Sequence, residues 1–254
     1  MIRSVWRACA VLSVLALLPL AAACEQHPGS AAFVGGARIA DSRVQDLVDE
    51  GLRDSLVRAG VKDVGVYRGV VLSRLIKHEV IVRAAAKSGV KVTDGEVTQI
   101  LGQQQQSAGG AKQLETAVAA APLSLPKDQI EPFFRDLILL DKIGAYLTRN
   151  EVYTEAELRA FYDQRGGASV GPYDKIKDQV IAAVRRQHAG VATEGYVKDY
   201  LRTIRVTVNP RYGKFDASKF FDAQQAPVLK PAPDAFFKAE SSAPPASPSA
   251  APSP

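Results

Sequence analysis

Three histidines are the residues of this chain that could most readily do acid–base or metal chemistry. His27, His78 and His188 lie far apart, and none is within four residues of another histidine or in a Cys/His cluster with zinc-ligand spacing. His78 stands beside Glu79 in a strongly apolar segment. We expect these two side chains to serve packing or solvation, not catalysis.

Two pairs of carboxylates have the spacing that acid–base chemistry could use. Asp94 precedes Glu96, and Glu155 precedes Glu157, each pair just after a threonine that can cap a helix. Acids at a helix N-terminus are favoured by the helix dipole, so a structural role is the better interpretation. The chain also lacks a G-x-S-x-G elbow, a P-loop and a G-x-G-x-x-G motif. The sequence therefore predicts no catalytic residue, no metal and no cofactor, and a protein that is not an enzyme.

Cys24 has the one spacing that predicts a covalent modification, namely lipid attachment. Arg3 and Arg7 form a basic start, residues 8–20 are uncharged and apolar, and Ala21–Ala23 lead directly into the cysteine. A 13-residue apolar run is too short for a membrane span and fits a cleaved signal peptide. The usual lipoprotein signal has Leu three places before the cysteine, where this chain has Ala. The alternative is ordinary secretory cleavage that leaves a free thiol.

Lipidation would place the protein outside the cytoplasm, tethered to a membrane. Residues 1–23 form the predicted lipoprotein signal peptide, and the processed chain begins at Cys24. Two or more acyl chains, palmitate among them, give a lasting anchor. We expect the outer face of the plasma membrane, or the periplasm if an outer membrane exists. Cys9 is lost with the signal peptide, so the fold is expected to have no disulfide.

The charge distribution argues against a dedicated nucleic-acid binder. The formal net charge is +5 and the sequence pI is about 9.2, but acidic and basic residues are interspersed without a long basic stripe. This pattern fits a folded domain near anionic lipid.

Composition divides the processed chain into three parts. A polar spacer occupies residues 24–32, and residues 33–213 are long enough for one sizeable core. Residues 214–254 form a Pro/Ala/Ser-rich tail, because residues 226–254 hold 8 of the chain's 15 prolines. Such a composition predicts disorder.

Apolar periodicity predicts that residues 33–213 are mainly helical. The widest apolar stripe belongs to a helix from about Tyr67 to Ser88 with Gly89 as its C-cap, so this helix is expected to be central. Capping patterns at Ser42/Gln45, Thr93/Glu96 and Thr154/Glu157 predict further helix starts. Later helices begin near Pro126, with Pro132 either starting or kinking that helix, and near Pro172.

Two short β elements are expected to close the helical domain. Ala32–Val34, the Gly35–Gly36 turn and Arg38–Ile39 form a hairpin pattern, and Thr203–Asn209 alternates as a half-buried strand. No other strand pattern is strong, so we predict that the last strand pairs with the hairpin. The fold class is therefore mainly α, closed by a small β hairpin paired with the C-terminal strand.

The order of these segments resembles the N-terminal chaperone module of the SurA and PrsA type of extracytoplasmic foldase. The similar segments are the Phe33–Ile39 hairpin, the apolar helix Val71–Val82, the Gly89–Val97 link, the Tyr153–Tyr162 helix and the closing Val206–Gly213 strand. The family usually has Asn-Gly at the hairpin turn, where this chain has Gly-Gly.

The resemblance covers about residues 33–215 and implies a chaperone fold without its usual enzyme. Relatives of this type carry a parvulin prolyl isomerase domain of about a hundred residues, whereas only nine residues separate Tyr162 from Pro172. By resemblance, the chain keeps the chaperone module and lacks the isomerase.

Aromatic pairs are the candidate ligand-binding residues. Phe133, Phe134 and Leu137 could line a groove for extended apolar peptide, or they could fill the core. Lys219–Ala223 and Ala235–Ala239 each contain a Phe-Phe pair. These pairs could dock in the domain's own groove, recruit a partner or be incidental.

Taken together, these patterns predict an ATP-independent holdase chaperone. Its partners would be unfolded or newly exported polypeptides, bound weakly and with little sequence selectivity at the outer face of a membrane. The alternative is a structural or adaptor lipoprotein that uses the same fold to bind one envelope partner. An active prolyl isomerase is the third and least favoured interpretation. The oligomeric state is left open.

Overall fold

A computed structural model describes residues 29–120, 124–222 and 228–230 of the protein. Eight α-helices and five short strands lie within these ranges, so the predicted mainly helical class is confirmed. In chain order they are β1 (Ser30–Val34), β2 (Ala37–Ala40), α1 (Asp41–Arg53), α2 (Ser55–Gly60), α3 (Val64–Ser88), α4 (Asp94–Ala108), α5 (Ala111–Ala119), α6 (Ile130–Leu147), α7 (Glu155–Gln164), α8 (Tyr173–Thr203), β3 (Val206–Val208), β4 (Lys214–Phe215) and β5 (Leu229–Lys230).

Helix α3 is the centre of the fold. Its first turn is capped by Asp63, whose carboxylate accepts a hydrogen bond from the Val66 amide, and it ends at Gly89 in the left-handed conformation. Buried side chains occur on more than one of its faces and contact α1, α6, α8 and the sheet. They include Tyr67, Val71, Leu72, Ile76, Val80, Ile81 and Ala84. The wide apolar stripe in the sequence is thus explained by neighbours on several sides.

A three-stranded antiparallel sheet joins the two ends of the helical domain. Strand β1 lies in the middle and pairs with β2 and with β3, where Ala32 faces Val208. The predicted pairing of the hairpin with the late strand is therefore present, although that strand is shorter because α8 continues through Thr203. The carboxylate of Asp41 at the start of α1 contacts both Tyr212 and Arg211, which fixes the chain just after β3.

Two of the three predicted helix starts have the hydrogen bonds of a capping box. Thr93 with Glu96 and Thr154 with Glu157 bond reciprocally at the N-termini of α4 and α7. The third prediction, Ser42 with Gln45, is wrong. The N-cap of helix α1 is Ala40, two residues before Ser42, and it makes no side-chain hydrogen bond. The Gln45 side chain instead donates to Asp49, four residues further along the helix.

Helices α6 and α8 cross at very short range. Gly144 lies against Ala189 and Thr193, and an added Cβ at Gly144 would be only 2.6 Å from Thr193 Oγ1. Helix α8 is continuous through Gly190, although glycine is a poor helix former. Pro132 lies in the first turn of α6, where its missing N–H costs no intrahelical bond and the helix continues without interruption.

Two smaller cores flank the main one. The first joins α4, α5 and the start of α6, and the second joins α7 to the N-terminal half of α8. The second is built around Leu158, Tyr162, Tyr173, Val180 and Val184.

The chain after Gly213 departs from the predicted tail. Residues 214–222 and 228–230, which we call the strap, form the β4–β5 pair and place Phe220, Val228 and Leu229 in the main core. The predicted boundary at residue 213 is therefore too early. The prediction gave weight to the prolines of the tail and not to the large apolar side chains of the strap, whose burial stabilises the fold.

Several predictions concern residues outside the described ranges. They are the signal peptide, the lipidated Cys24, most of the spacer, the second aromatic pair Phe236–Phe237 and the rest of the tail. Among the described helices, none combines the length and apolarity that crossing a membrane requires.

We predict that Gly144→Val destabilises the protein by about 1–3 kcal/mol, because its side chain would press on the backbone and side chains of α8. The free energy of unfolding from urea titration would measure this loss. Gly190→Ala on α8 is the matched control, since nothing lies within 4 Å of its added Cβ. It should stabilise the protein by about 0.5–1 kcal/mol. Equal stability of the Gly144→Val variant and the unmodified protein would contradict the close crossing.

Candidate functional site

A groove lies between α3 and α6, and the strap borders it on one side. Its volume is about 390 Å³. Both helices contribute apolar side chains. Half of the polar lining residues come from α3, and the others are Arg43, Gln129, Asp136 and Asp222. The apolar lining includes Val70, Leu75, Ile81, Phe133, Leu137 and Leu140. A concave, mostly apolar surface with a few polar groups is the usual form of a binding site.

The structure separates the three candidate groove residues. Phe133 and Leu137 line the groove, and Leu137 is 44% exposed. Phe134 is not part of the groove, because it is buried in the core cluster formed with α4 and α5. Successive residues on a helix point about 100° apart, so Phe133 lies at the edge of this cluster and also reaches the groove, whereas Phe134 points into the cluster. Phe134 therefore fills the core, which is one of the two roles that the sequence allowed. The prediction that it lines the groove is wrong.

The first aromatic pair of the C-terminal segment docks at this groove. Phe220 is 4% exposed and its ring makes an edge contact with that of Phe221, with centroids 5.0 Å apart. Lys77 Nζ lies 5.9 Å from the centre of the Phe220 ring, within cation–π range. Of the alternatives open at the sequence level, docking in the domain's own groove is the one found for this pair.

Cationic side chains line the groove floor, although their place in the sequence did not predict them as site residues. Arg74 and Lys77 belong to α3 and are half-buried. Burial lowers the pKa of both groups, and the Asp222 carboxylate offsets part of this effect at Lys77. Arg74 also donates to the carbonyl of Ser124 at 3.3 Å. The sequence pattern that could have identified them is the presence of two cations within the apolar stripe of a helix predicted to be central.

His78 and Asp136 form an ion pair across the groove, from α3 to α6. His78 Nδ1 and Asp136 Oδ1 are 2.8 Å apart, and Asp136 is the more buried partner. The hydrogen bond to Asp136 raises the pKa of His78, against the opposing effect of burial. Burial raises the pKa of Asp136, which His78 only partly offsets. Protonated His78 therefore compensates a carboxylate that is costly to bury.

Ser73 also lines the groove, and its hydroxyl is already engaged in a hydrogen bond within α3. Ser73 Oγ donates to the Gly69 carbonyl at 2.7 Å, one helical turn back, and not to a base as a nucleophile would. Within the described residues, no group of three or more His, Cys, Asp and Glu side chains is placed to hold a metal ion. The chemistry that the groove offers is thus apolar contact together with positive charge.

A second cavity, of about 210 Å³, lies between α7 and α8. It is lined by Phe161, Val184 and His188, among others. His188 pairs with Glu151 at 2.9 Å. This cavity is smaller and shallower, so the groove between α3 and α6 is the better candidate site.

We predict that the stability of the protein falls as pH rises above about 6.5, owing to the His78–Asp136 pair. Folding raises the His78 pKa above its ordinary value of about 6.5, so this contribution is complete below that value and is lost as pH rises through the folded pKa. Asp136, Glu79 and Arg135 are the charged groups that act on the ring. Urea titrations at several pH values would measure the fall.

His78→Gln should flatten this pH dependence, whereas the matched control His188→Gln should retain it. An unchanged slope in His78→Gln would contradict the assignment of the pH dependence to the His78–Asp136 pair.

Comparisons with known proteins identify no relative that could assign a role to this groove. No protein-family model matches this chain, and no curated protein matches it.

Proposed function

We propose that this protein binds unfolded or newly exported polypeptides in the groove between α3 and α6, without ATP. The observation that carries the proposal is the groove itself, which is mostly apolar, has a volume of about 390 Å³ and leaves Leu137 44% exposed. Concave, mostly apolar grooves with a few polar groups are the places where proteins usually bind ligands. Phe133 and Leu137 are the proposed contact residues.

The groove suits weak binding of many extended chains. Its apolar walls gain free energy from any large apolar side chain, at about 25 cal/mol per Å² removed from water. The contact area is limited by the cavity, so an individual segment would bind weakly and leave quickly. Such binding protects a chain that has not yet buried its apolar residues.

The order of segments supports the same proposal through the resemblance to the SurA and PrsA type of chaperone module. On this basis the hairpin paired with β3 is the closure of that module, and the isomerase domain is missing. Lipid attachment at Cys24 would hold the groove at the outer face of a membrane, where exported chains emerge. We therefore propose a lipid-anchored holdase with no enzymatic activity.

One observation favours the second candidate, an adaptor that binds a single envelope partner. The strap already places Phe220 and Phe221 at the groove, which reduces the space for large clients. A partner that fits the remaining space would then be selected by shape. The two candidates differ in the range of proteins bound: a holdase binds many unfolded chains, whereas an adaptor binds one partner.

We predict that the purified full chain suppresses the aggregation of thermally unfolding citrate synthase at near-equal concentration and without nucleotide. Leu137→Gln should weaken this suppression by about threefold to tenfold, because it removes apolar contact from the groove. Light scattering as a function of protein concentration would measure the effect. Since Leu137 is 44% exposed, the variant should fold normally, and circular dichroism would check this.

Val191→Gln is the matched control for this experiment. Val191 is 68% exposed on α8 and does not line the groove, so its replacement should leave suppression unchanged. No suppression by a folded sample would overturn the holdase proposal in favour of the adaptor. Equal loss in both variants would show that the groove is not the binding surface.

A further inference from the structure

The strap and the floor of the groove have complementary chemistry. On the strap, Phe220 and Phe221 are followed directly by Asp222. On the floor, the apolar side chains of α3 and α6 surround Arg74 and Lys77. The Phe221 ring thus lies at the apolar walls, while the Asp222 carboxylate acts on Lys77.

The three strap residues are not equally fixed. Phe220 is buried in the main core, whereas Phe221 is half-buried at the edge of that core and Asp222 is exposed; both Phe221 and Asp222 line the groove. The strap itself is held at its other end by β5, where Leu229 pairs with Phe215 and is buried. Phe221 and Asp222 can therefore leave the groove while the strap stays attached through Phe220 and Leu229.

Positive charge in this groove needs a partner. Moving a cation out of water costs free energy unless a counter-charge compensates it. Arg74 has the Ser124 carbonyl, and His78 has Asp136, whereas Asp222 on the strap is the carboxylate that acts on Lys77. A ligand that displaces Phe221 and Asp222 must replace the carboxylate as well as the ring.

We propose that the groove selects extended peptide segments in which a large apolar side chain is followed by an acidic residue, and that Phe221–Asp222 is a built-in competitor for such segments. This inference rests on the proposed function and adds to it a ligand class and a means of regulation. A segment with the apolar residue alone fills the walls but leaves Lys77 uncompensated. The strap therefore sets a threshold that only segments of matching chemistry, or those present at high concentration, overcome.

The test uses two fluorescently labelled peptides with blocked ends. The first copies the strap sequence Ala-Ser-Lys-Phe-Phe-Asp-Ala, and the second replaces its Asp by Asn. Binding to the full chain and to its variants is measured by fluorescence anisotropy. The double variant Phe221→Ala/Asp222→Asn removes the competitor and keeps Phe220, so its core should remain intact.

We predict that this double variant binds the Asp peptide about tenfold more tightly than the unmodified chain does, because the intramolecular competitor is gone. It should also prefer the Asp peptide to the Asn peptide by about fivefold, the difference that one charge-assisted contact can supply. Adding Lys77→Met should abolish that preference. Adding Lys87→Met is the matched control, since Lys87 lies on the same helix over the Tyr200 ring and outside the groove, and the preference should remain.

Equal affinities for the two peptides, or no gain in the double variant, would overturn this inference. Aggregation assays on the same variants separate its failure from that of the proposed function. If the peptides bind without selectivity while aggregation is still suppressed, the ligand class is wrong and the holdase proposal stands. If no variant binds either peptide and none suppresses aggregation, both fail.

Discussion

Helix α3 has to be covered on more than one face, and this constraint organises the molecule. Buried residues from Tyr67 to Ala85 lie around much of its circumference, and no single neighbour could remove them all from water. Helices α1, α6 and α8 therefore surround it, and the sheet covers a further part. Because β1 and β3 come from opposite ends of the domain, covering α3 also joins those ends.

The groove forms where this covering is incomplete. Helix α6 is held close to α8 at Gly144 and to α3 by the His78–Asp136 pair, while its first turns also pack on α4 and α5 through Phe134. Because α6 makes all these contacts, it does not pack fully against α3 at Leu75, which lines the groove. The strap occupies part of the space left between the two helices, and the remainder stays open.

The groove contains positive charge as well as apolar surface. Burial disfavours the charged forms of Arg74 and Lys77, so each carries a cost that a neighbouring acceptor must offset. Closely packed cores seldom retain such groups without a partner. Here the strap supplies both an apolar side chain and a carboxylate, which is why it is at once a structural element and the model for the proposed ligand.

The sequence by itself determined the helical class, the capping boxes at Thr93 and Thr154, and the central position of α3, because these depend on local hydrogen bonds and on apolar periodicity. Only the tertiary structure decided which phenylalanine of the 133–134 pair faces the groove, since that depends on where α4 and α5 lie. It also decided that Lys77 meets the strap. These two segments are far apart in the chain, and composition carries no information about which distant surfaces pack together.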